Sequence, residues 1–266
     1  MFSDSHVHLD QYDLSEIDDV IERASDAGVS FMISAGTTVK SSKKCIELAN
    51  KYPQIFAGVG IHPMDINNEF TKETYRELQE LVSNNEKVVA ISEIGLDFLE
   101  GMPSKELQYH AFREQIRLAR ELGIAIIFHA REAEDETLRV LQEEKAYEVG
   151  VIAHYFQGDE ITAKKCLELD FFISIARPLL RLPHLQELIS KFPLNRIVLE
   201  TDSFPQPFKK KRYLWTEPRH IIEIASKLAD LTGLSLEKIE EITTQNLIKA
   251  LGNRAKVIGK YVGPTT

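Results

Sequence analysis

Cysteine is scarce in this chain. Its 266 residues include only Cys45 and Cys166, and each follows a pair of lysines in a helix-like stretch. A disulfide framework or a cysteine-based zinc site requires a different spacing. We therefore expect two half-buried thiols, and a reducing cytoplasm is the expected location.

Long apolar runs are also absent. No stretch approaches the roughly 20 consecutive apolar residues that a membrane helix needs. The N-terminus has no basic segment followed by an apolar one. We therefore expect no membrane span and no secretory leader.

Positive charge is in deficit. The chain has 32 lysines and arginines against 41 aspartates and glutamates, which gives a net charge of −9. This balance argues against a protein that coats nucleic acid through a broad basic face. It does not exclude an enzyme that binds one strand end locally, because bound metal ions supply much of the positive charge at such a site.

The sequence does contain a regular alternation of strand-like and helix-like segments. Apolar, strand-like runs lie near residues 2–6, 29–35, 55–61, 87–93, 124–129, 150–154, 170–175 and 196–200. Amphipathic stretches lie near 14–27, 41–51, 70–85, 104–122, 132–145, 160–168, 184–191, 216–232 and 235–251. Eight strand–helix units in a chain of this length are typical of a (β/α)8 barrel. We predict a single TIM-barrel domain over residues 1–266.

Six imidazole and carboxylate side chains stand at or just past the ends of these strand-like runs. They are His6, His8, Glu93, His129, His154 and Asp202. Mixed nitrogen and oxygen ligands suit borderline divalent metals, and the strand ends of a barrel converge on one site. The pattern predicts a metal-dependent hydrolase with these six residues as metal ligands.

Each of these residues also has an ordinary interpretation. Glu93 could pair with a core arginine, and Asp202 could cap the turn after its strand. His129 and His154 could be satisfied core histidines, but their position at the ends of successive strands favours metal binding. Glu200 shares a strand face with Asp202 and could orient a neighbouring ligand.

The two carboxylates are expected to have separate roles. Glu93 is predicted to bridge two cations, since its two oxygens can span the roughly 3.5–4 Å that separates the metals of two-metal hydrolases. Asp202 is predicted to bind one metal and to act as general base on the attacking water. Both are therefore candidate catalytic residues.

Six segments resemble the TatD family of metal-dependent deoxyribonucleases, within the amidohydrolase-like superfamily. They are DSHVHLD (4–10), GIHP (60–63), SEIGLD (92–97), FHAR (128–131), HYFQG (154–158) and LETDS (199–203). The resemblance implies two divalent ions (Mg, Mn or Zn) held by the six ligands, and phosphodiester hydrolysis, often from a 3′ end of DNA. It also implies that His62 and Arg131 contact the substrate phosphate. The family often has a bulkier or more Gly-rich turn at 176–181 and an Asn-x-Pro where residues 216–218 read Thr-Glu-Pro, so these departures bear on substrate preference.

Basic and aromatic residues follow the seventh and eighth strands. Arg177 and Arg181 lie in the first of these loops, and the second contains four consecutive basic residues at 209–212 and the one tryptophan, Trp215. Loops at these positions often build the phosphate site of a TIM barrel, where basic groups hold phosphates and aromatic rings stack on bases. We predict that Arg177, Lys210 and Trp215 contact substrate, the alternative being a solvated loop.

Two other functions stay open at this stage. One is hydrolysis of a small lactone, amide or phosphotriester, which many related barrels perform with a carboxylated lysine where this chain has Glu93. The other is a non-enzymatic barrel that binds nucleic acid or a partner, which the complete ligand set disfavours. The expected partner is a nucleic acid substrate, DNA in the first instance, with no membrane and with a monomer or weak oligomer in solution.

Overall fold

Eight parallel strands form one sheet in sequence order, β1 to β8, in a computed structural model that describes residues 1–66 and 70–263. The strands are β1 Phe2–Val7, β2 Val29–Ala35, β3 Ile55–Val59, β4 Val88–Asp97, β5 Ala125–Arg131, β6 Val151–Ala153, β7 Phe172–Ile175 and β8 Ile197–Leu199. A helix follows each strand, so the predicted (β/α)8 barrel is confirmed.

The helices surround the barrel. They are α1 Leu14–Asp26, α2 Val39–Lys51, α3 Lys72–Ser83, α4 Lys105–Leu122, α5 Glu134–Glu143, α6 Glu160–Glu168, α7 Pro183–Lys191, α8 Ile221–Thr232, α9 Leu236–Leu251 and α10 Lys256–Val262. Several begin at a side-chain cap: Ser104 accepts from the backbone N–H of Leu107, and Asp159 accepts from that of Thr162. Such caps satisfy backbone donors that have no partner within the helix.

The barrel closes between β8 and β1 through residues just beyond β8. The backbone N–H of His8 donates to the carbonyl of Ser203 at 2.9 Å, and that of Asp202 donates to the carbonyl of His6 at 3.0 Å. Buried Asp4 secures the seam by accepting from the hydroxyl of Thr201 at 2.6 Å. The seam therefore sets the ends of β1 and β8, with their histidines and aspartate, side by side.

Two layers of apolar side chains make up the core. The outer layer lies between strands and helices. The inner layer fills the barrel with large residues such as Phe31, Phe56 and Ile127, and α9 and α10 cover its lower end through Leu251 and Ile258. The N-terminal half of the barrel is therefore filled by apolar side chains.

Some boundaries differ from the sequence-based prediction. Strand β4 extends to Asp97 rather than ending at Glu93, and helix α10 was not predicted. The last predicted helix was the one near 235–251, but the chain turns at Gly252, which has a φ of +57°, and continues to α10. Both cysteines are fully buried rather than half-buried, at 0% and 1% exposure, and neither forms a disulfide.

No helix among the described residues is long and apolar enough to cross a membrane. This agrees with the absence of long apolar runs in the sequence.

Candidate metal centre

Two irregularities in the sheet point key side chains into the barrel mouth. Strand β1 has one residue more than β2 between Asp4 and Val7, and β4 has one residue more than β5 between Ser92 and Ile94. A bulge of this kind shifts the alternation of side chains between the two faces. Glu93 is the extra residue of β4, and the bulge turns its carboxylate inward, where a regular strand would turn it toward the helices.

Left-handed backbone conformations mark the same rim. Glu93, Glu132, Tyr155 and Asp202 have φ values of 61°, 54°, 48° and 50°. Residues other than glycine seldom adopt this conformation, and such strain tends to persist at functional sites, where the surrounding structure enforces it. Glu93 lies at the bulge within β4, and the other three lie just past the ends of β5, β6 and β8, so this strain occurs where the candidate ligands are.

The first group of candidate ligands surrounds one oxygen of Glu93. Its Oε1 lies 2.7 Å from Nε2 of His6 and 3.3 Å from Nε2 of His8. The same His8 nitrogen lies 3.3 Å from Oδ1 of Asp202. On its other side, Nδ1 of His8 donates to the carbonyl of Ala35 at 3.1 Å. This bond fixes the tautomer, so neutral His8 presents a lone pair on Nε2 to the site.

The second group lies across the same carboxylate. Glu93, His129 and His154 place one ligand atom each within 4.8 Å of one another. Behind His154, Oε1 of buried Glu200 lies 2.9 Å from Nδ1, and it also accepts from the backbone N–H of Tyr155 at 2.8 Å. Glu200 thus has the orienting position that the sequence suggested, on the side of His154 away from Glu93.

The charges of neighbouring groups shift the pKa values of these residues. Burial alone would raise the pKa of Glu93, but His6, His154 and His8 outweigh it and hold that pKa well below its usual range. For His154, burial acts to lower the pKa, while the carboxylates of Glu200 and Glu93 raise it to about 9. In the metal-free chain, a proton on His154 therefore supplies part of the positive charge that a cation would supply.

The arrangement fits divalent cations. Oε2 of Glu93 and Nδ1 of His6 are buried and have no hydrogen-bond partner among the described residues. Buried polar atoms are seldom left without partners unless something else binds them. Glu93 occurs in two of the ligand groups, one with His6 and His8 and one with His129 and His154. Imidazole and carboxylate donors suit zinc, manganese and similar ions.

A carboxylate that sequence reasoning did not assign supports the second group. Asp97, fully buried at the end of β4, accepts from Nε of Arg131 at 2.8 Å and lies 3.3 Å from Nε2 of His129. Burial acts to raise the pKa of Asp97, but His129 and Arg131 lower it well below its usual range. Residues four apart share one face of a strand, so Asp97 points inward with Glu93; the sequence-based prediction ended β4 at Glu93 and therefore left Asp97 out.

Asp97→Asn is expected to lower metal affinity or activity by about 10–100-fold, the usual cost of removing a carboxylate that orients a metal-binding histidine. The amide keeps the volume of Asp97 but loses the charge that holds His129 and Arg131. Metal titration and kcat/KM measured together test this. Asp135→Asn, at an exposed aspartate on α5, is the control, and an Asp97→Asn chain with native values for both quantities would refute the role.

Metal uptake by the metal-free chain is expected to release protons. The folded-state pKa of His154 is raised to about 9 from the usual 6.5 of a histidine. Its proton therefore stabilises the metal-free fold below pH 6.5, and this contribution is lost as the pH rises through 9. A cation requires neutral imidazole, so apparent affinity should rise between these pH values by up to about tenfold per pH unit for each proton released. Calorimetry at pH 7 in two buffers of different ionisation enthalpy measures the release, and identical heats would contradict it.

Two of the predicted substrate contacts lie beside the cluster. His62 is buried, its Nε2 is 3.6 Å from Oε2 of Glu93, and its Nδ1 accepts from the backbone N–H of Met64 at 3.0 Å. Burial lowers the pKa of His62 to about 4, so at neutral pH its Nε2 carries the N–H and can donate to an oxygen. Arg131 is half-exposed and held by Asp97.

The other predicted contacts lie farther out. Nη1 of Arg177 pairs with Oε2 of Glu223 at 2.8 Å, and Lys210 is exposed, with no ion pair to any described residue. Trp215 is partly buried, and the guanidinium of Arg212 lies 4.4 Å from its ring centre. The exposed aromatic residues of this loop are instead Phe208 and Tyr213, at 71% and 65% exposure.

Buried Glu217 anchors this loop. It pairs with Arg23 at 2.8 Å, with Arg212 at 2.7 Å and with Arg219 at 3.1 Å. Arg212 therefore serves the loop's own structure, which leaves Lys210 and Lys211 as the exposed charges of the basic run. Sequence alone could not separate these roles, because Arg212 pairs with Glu16 of α1, far away in the chain, as well as with nearby Glu217.

Comparisons with known proteins agree with this geometry. The family model described as "TatD related DNase" matches residues 3–252. The metal-dependent hydrolase YabD of Bacillus subtilis, described as uncharacterized, is 35% identical over 253 residues, covering 92% of this chain and 97% of its own. The 3'-5' ssDNA/RNA exonuclease TatD of Citrobacter rodentium is 30% identical over 246 residues, covering 88% and 91%.

A solved structure has the same architecture. The TatD homologue YJJV of Escherichia coli superposes with a TM-score of 0.85 at 25% identity, over 94% of this chain and 97% of its own. With a family match over nearly the whole chain and relatives of similar length, this protein belongs to the TatD-related DNase family of metal-dependent hydrolases.

Proposed function

We propose that this barrel hydrolyses phosphodiester bonds of single-stranded nucleic acid, DNA in the first instance, from the 3′ end, with two divalent cations at the strand ends. The observation that carries the proposal is the position of Glu93. One buried carboxylate, inverted by a bulge, is shared by two groups of histidines. That is the arrangement expected of a bridging ligand in a two-metal hydrolase.

Six residues would hold the cations. His6 and His8 would serve one ion and His129 and His154 the other, with Glu93 common to both. Asp202, 3.3 Å from His8, would join the first ion. When bound, such ions would offset negative charge on the phosphoryl group and make water acidic enough to act as a nucleophile near neutral pH. Magnesium, manganese and zinc all suit this donor set.

Side chains around the cluster would handle the substrate and the proton. The side chain of Asp202 is 21% exposed and that of Glu93 is 4% exposed. Asp202 is therefore the carboxylate more accessible to water and the proposed general base. His62 would donate from Nε2 to a phosphate oxygen. Arg131, held by Asp97, would add a positive charge beside it.

A nucleic acid substrate is supported by two observations. The Citrobacter rodentium relative is named a 3'-5' exonuclease of ssDNA and RNA. In addition, the β8–α8 loop presents exposed Lys210 and Lys211 next to exposed Phe208 and Tyr213. Cations and aromatic rings together suit single strands, whose phosphates and bases they can contact at once. Arg177 and Trp215 remain candidates for such contacts, and we propose the whole chain as one hydrolase domain that acts in the cytoplasm.

The test is a product-resolved digest. Single and double strands labelled at the 3′ or 5′ end are incubated with Mg²⁺, Mn²⁺ or Zn²⁺ in turn. We expect mononucleotides to appear first from the 3′ end of single strands. Turnover of a lactone panel without cleavage of any strand would overturn the proposal in favour of a small-molecule hydrolase.

Lys210→Ala is expected to raise KM for a single strand and to reduce the slope of log affinity against log salt by about 0.7, the value for one phosphate contact on a single strand. Because Lys210 is exposed and unpaired among described residues, its loss should leave the fold intact. Lys256→Ala, an exposed lysine on α10 at the opposite end of the barrel, is the matched control. If the slope of log affinity against log salt is the same for the two variants, Lys210 does not contact the substrate.

A further inference from the structure

A cavity of about 360 Å³ extends sideways from the metal cluster. His129, His154 and Asp202 form its open side, and it continues toward helices α5 and α6. Its volume lies near the lower end of the roughly 300–1,000 Å³ typical of small-ligand pockets. It is therefore suited to one small ring system rather than to a length of chain.

The inner wall of this cavity is apolar. It is lined by Phe128, Leu138, Phe156 and Cys166, all at most 6% exposed. The proposed chemistry at the cluster needs only charged and polar groups, so this wall has no role in it. An apolar wall beside a phosphate site suits a flat, weakly hydrated group attached to that phosphate, and in a nucleotide that group is the base.

The rim of the cavity carries polar groups. Tyr155, half-buried and set in a left-handed backbone conformation, is one of these residues. Glu134, in the first turn of α5, is another, and it has no hydrogen-bond or ion-pair partner within 1–66 and 70–263. The next residue of the helix, Asp135, does have a partner, since Lys165 donates to it at 2.7 Å.

A carboxylate without hydrogen-bond partners repels a nearby anionic substrate, unless the substrate donates hydrogen bonds to that carboxylate. Bases differ in what they can donate to a carboxylate. Guanine offers N1–H and an amino group together, and adenine and cytosine each offer an amino group, whereas thymine has only one N–H, flanked by two carbonyls. Carboxylates accordingly accept from base amino groups in protein–nucleic acid complexes. A site that relies on such a bond discriminates against a ligand that lacks the donor.

We propose that this cavity binds the base of the 3′-terminal nucleotide, and that Glu134 selects bases with an exocyclic amino group over thymine. The base would enter between Tyr155 and the apolar wall, with its amino edge toward Glu134. Single nucleobases held in enzyme pockets are read in this way, by stacking and by hydrogen bonds to one edge. This inference rests on the proposed nuclease function and adds to it the recognition of the terminal base.

The experiment uses five single strands that are identical except at the 3′ end, which is dG, dA, dC, dT or an abasic sugar. For the native chain we expect kcat/KM for dG to exceed that for dT by about tenfold or more, within the range of a good bidentate contact. In Glu134→Ala this ratio should fall to near one. In Glu136→Ala, a change two residues along α5 at a carboxylate that does not line the cavity, the ratio should stay as in the native chain.

A binding measurement complements the kinetics. Metal-free protein in chelator is mixed with strands that carry fluorescent 2-aminopurine at the 3′ end or well inside the strand. Stacking at the cavity should quench the terminal probe and leave the internal one bright. If bound strands show equal quenching of the terminal and the internal probe, the proposed base subsite is wrong.

The outcomes separate the two proposals. If the native chain cleaves all five strands at equal kcat/KM, or if Glu134→Ala keeps the dG preference, the base subsite is wrong and the nuclease function stands. If no strand is cleaved with any of the three metals, the nuclease function is wrong and the subsite is overturned with it.

Discussion

Replacing Glu93 by glutamine is expected to lower kcat/KM on a 3′-labelled single strand by at least about a thousandfold, which corresponds to about 4 kcal/mol. Glutamine keeps the volume of Glu93 but replaces one charged oxygen with an amide NH₂. An amide cannot bridge two cations, and metal-assisted hydrolysis depends on them for several kcal/mol of charge stabilisation. The loss should appear mainly in kcat.

Folding of the variant is checked separately. The pKa of Glu93 is lowered in the folded chain, so its charge stabilises the metal-free fold above pH 4.5, the usual pKa of a glutamate. This contribution is lost as the pH falls through the folded-state pKa. Glu93→Gln should therefore also melt earlier at neutral pH. Asp202→Asn, at a more exposed ligand, supplies a second inactive variant with a smaller effect on folding.

Glu100→Gln is the matched control for Glu93. Glu100 is an exposed glutamate in the loop after β4, remote from the buried cluster. It should retain native activity and native metal content. A folded Glu93→Gln chain with activity within tenfold of native would refute the assignment of Glu93 as the shared ligand.

Removal of metal is expected to have the second large effect. Chelation should abolish hydrolysis, and one saturated site should stabilise the fold by about 2.7 kcal/mol at a metal concentration 100 times Kd. For a domain of about 150–250 residues, each kcal/mol of stabilisation raises Tm by about 2–4 °C. One saturated metal site should therefore raise Tm by about 5–10 °C. The physical reason is that four histidines and two carboxylates lie close together in a buried space, and bound cations stabilise that arrangement.

Thermal melts with and without Mn²⁺ or Zn²⁺ measure this shift. His129→Ala should lose part of it, because one ligand group remains. His184→Ala, at an exposed histidine on α7, should show the full shift. A native Tm that does not change between chelator and excess metal would contradict the proposed centre.

Much of this site could be predicted from the sequence because strand ends are easy to recognise. His129 and His154 directly follow apolar runs, and parallel strands bring such positions to one rim. The spacing of Glu200 to Asp202 indicated only that Glu200 could orient a neighbouring ligand, and the structure places it against His154. The family motifs then named the same set of residues.

Other features depend on three-dimensional contacts that no local pattern encodes. The bulge at Glu93 cannot be read from alternation, since Ser92 and Ile94 fit a regular strand equally well. Asp97 was missed because β4 was predicted to end at Glu93, whereas the strand continues to Asp97 on the same face. The apolar cavity near Glu134 arises where two loops and two helices meet, and its walls are separated along the chain.

The most direct test of the central claim is anomalous diffraction from crystals grown with Mn²⁺. We predict two peaks separated by about 3.5–4 Å, the distance found in two-metal sites, with Glu93 in contact with both. His6, His8 and Asp202 should surround one peak, and His129 and His154 the other. A single peak, or two peaks of which one does not touch Glu93, would contradict a shared-carboxylate, two-metal centre in this barrel.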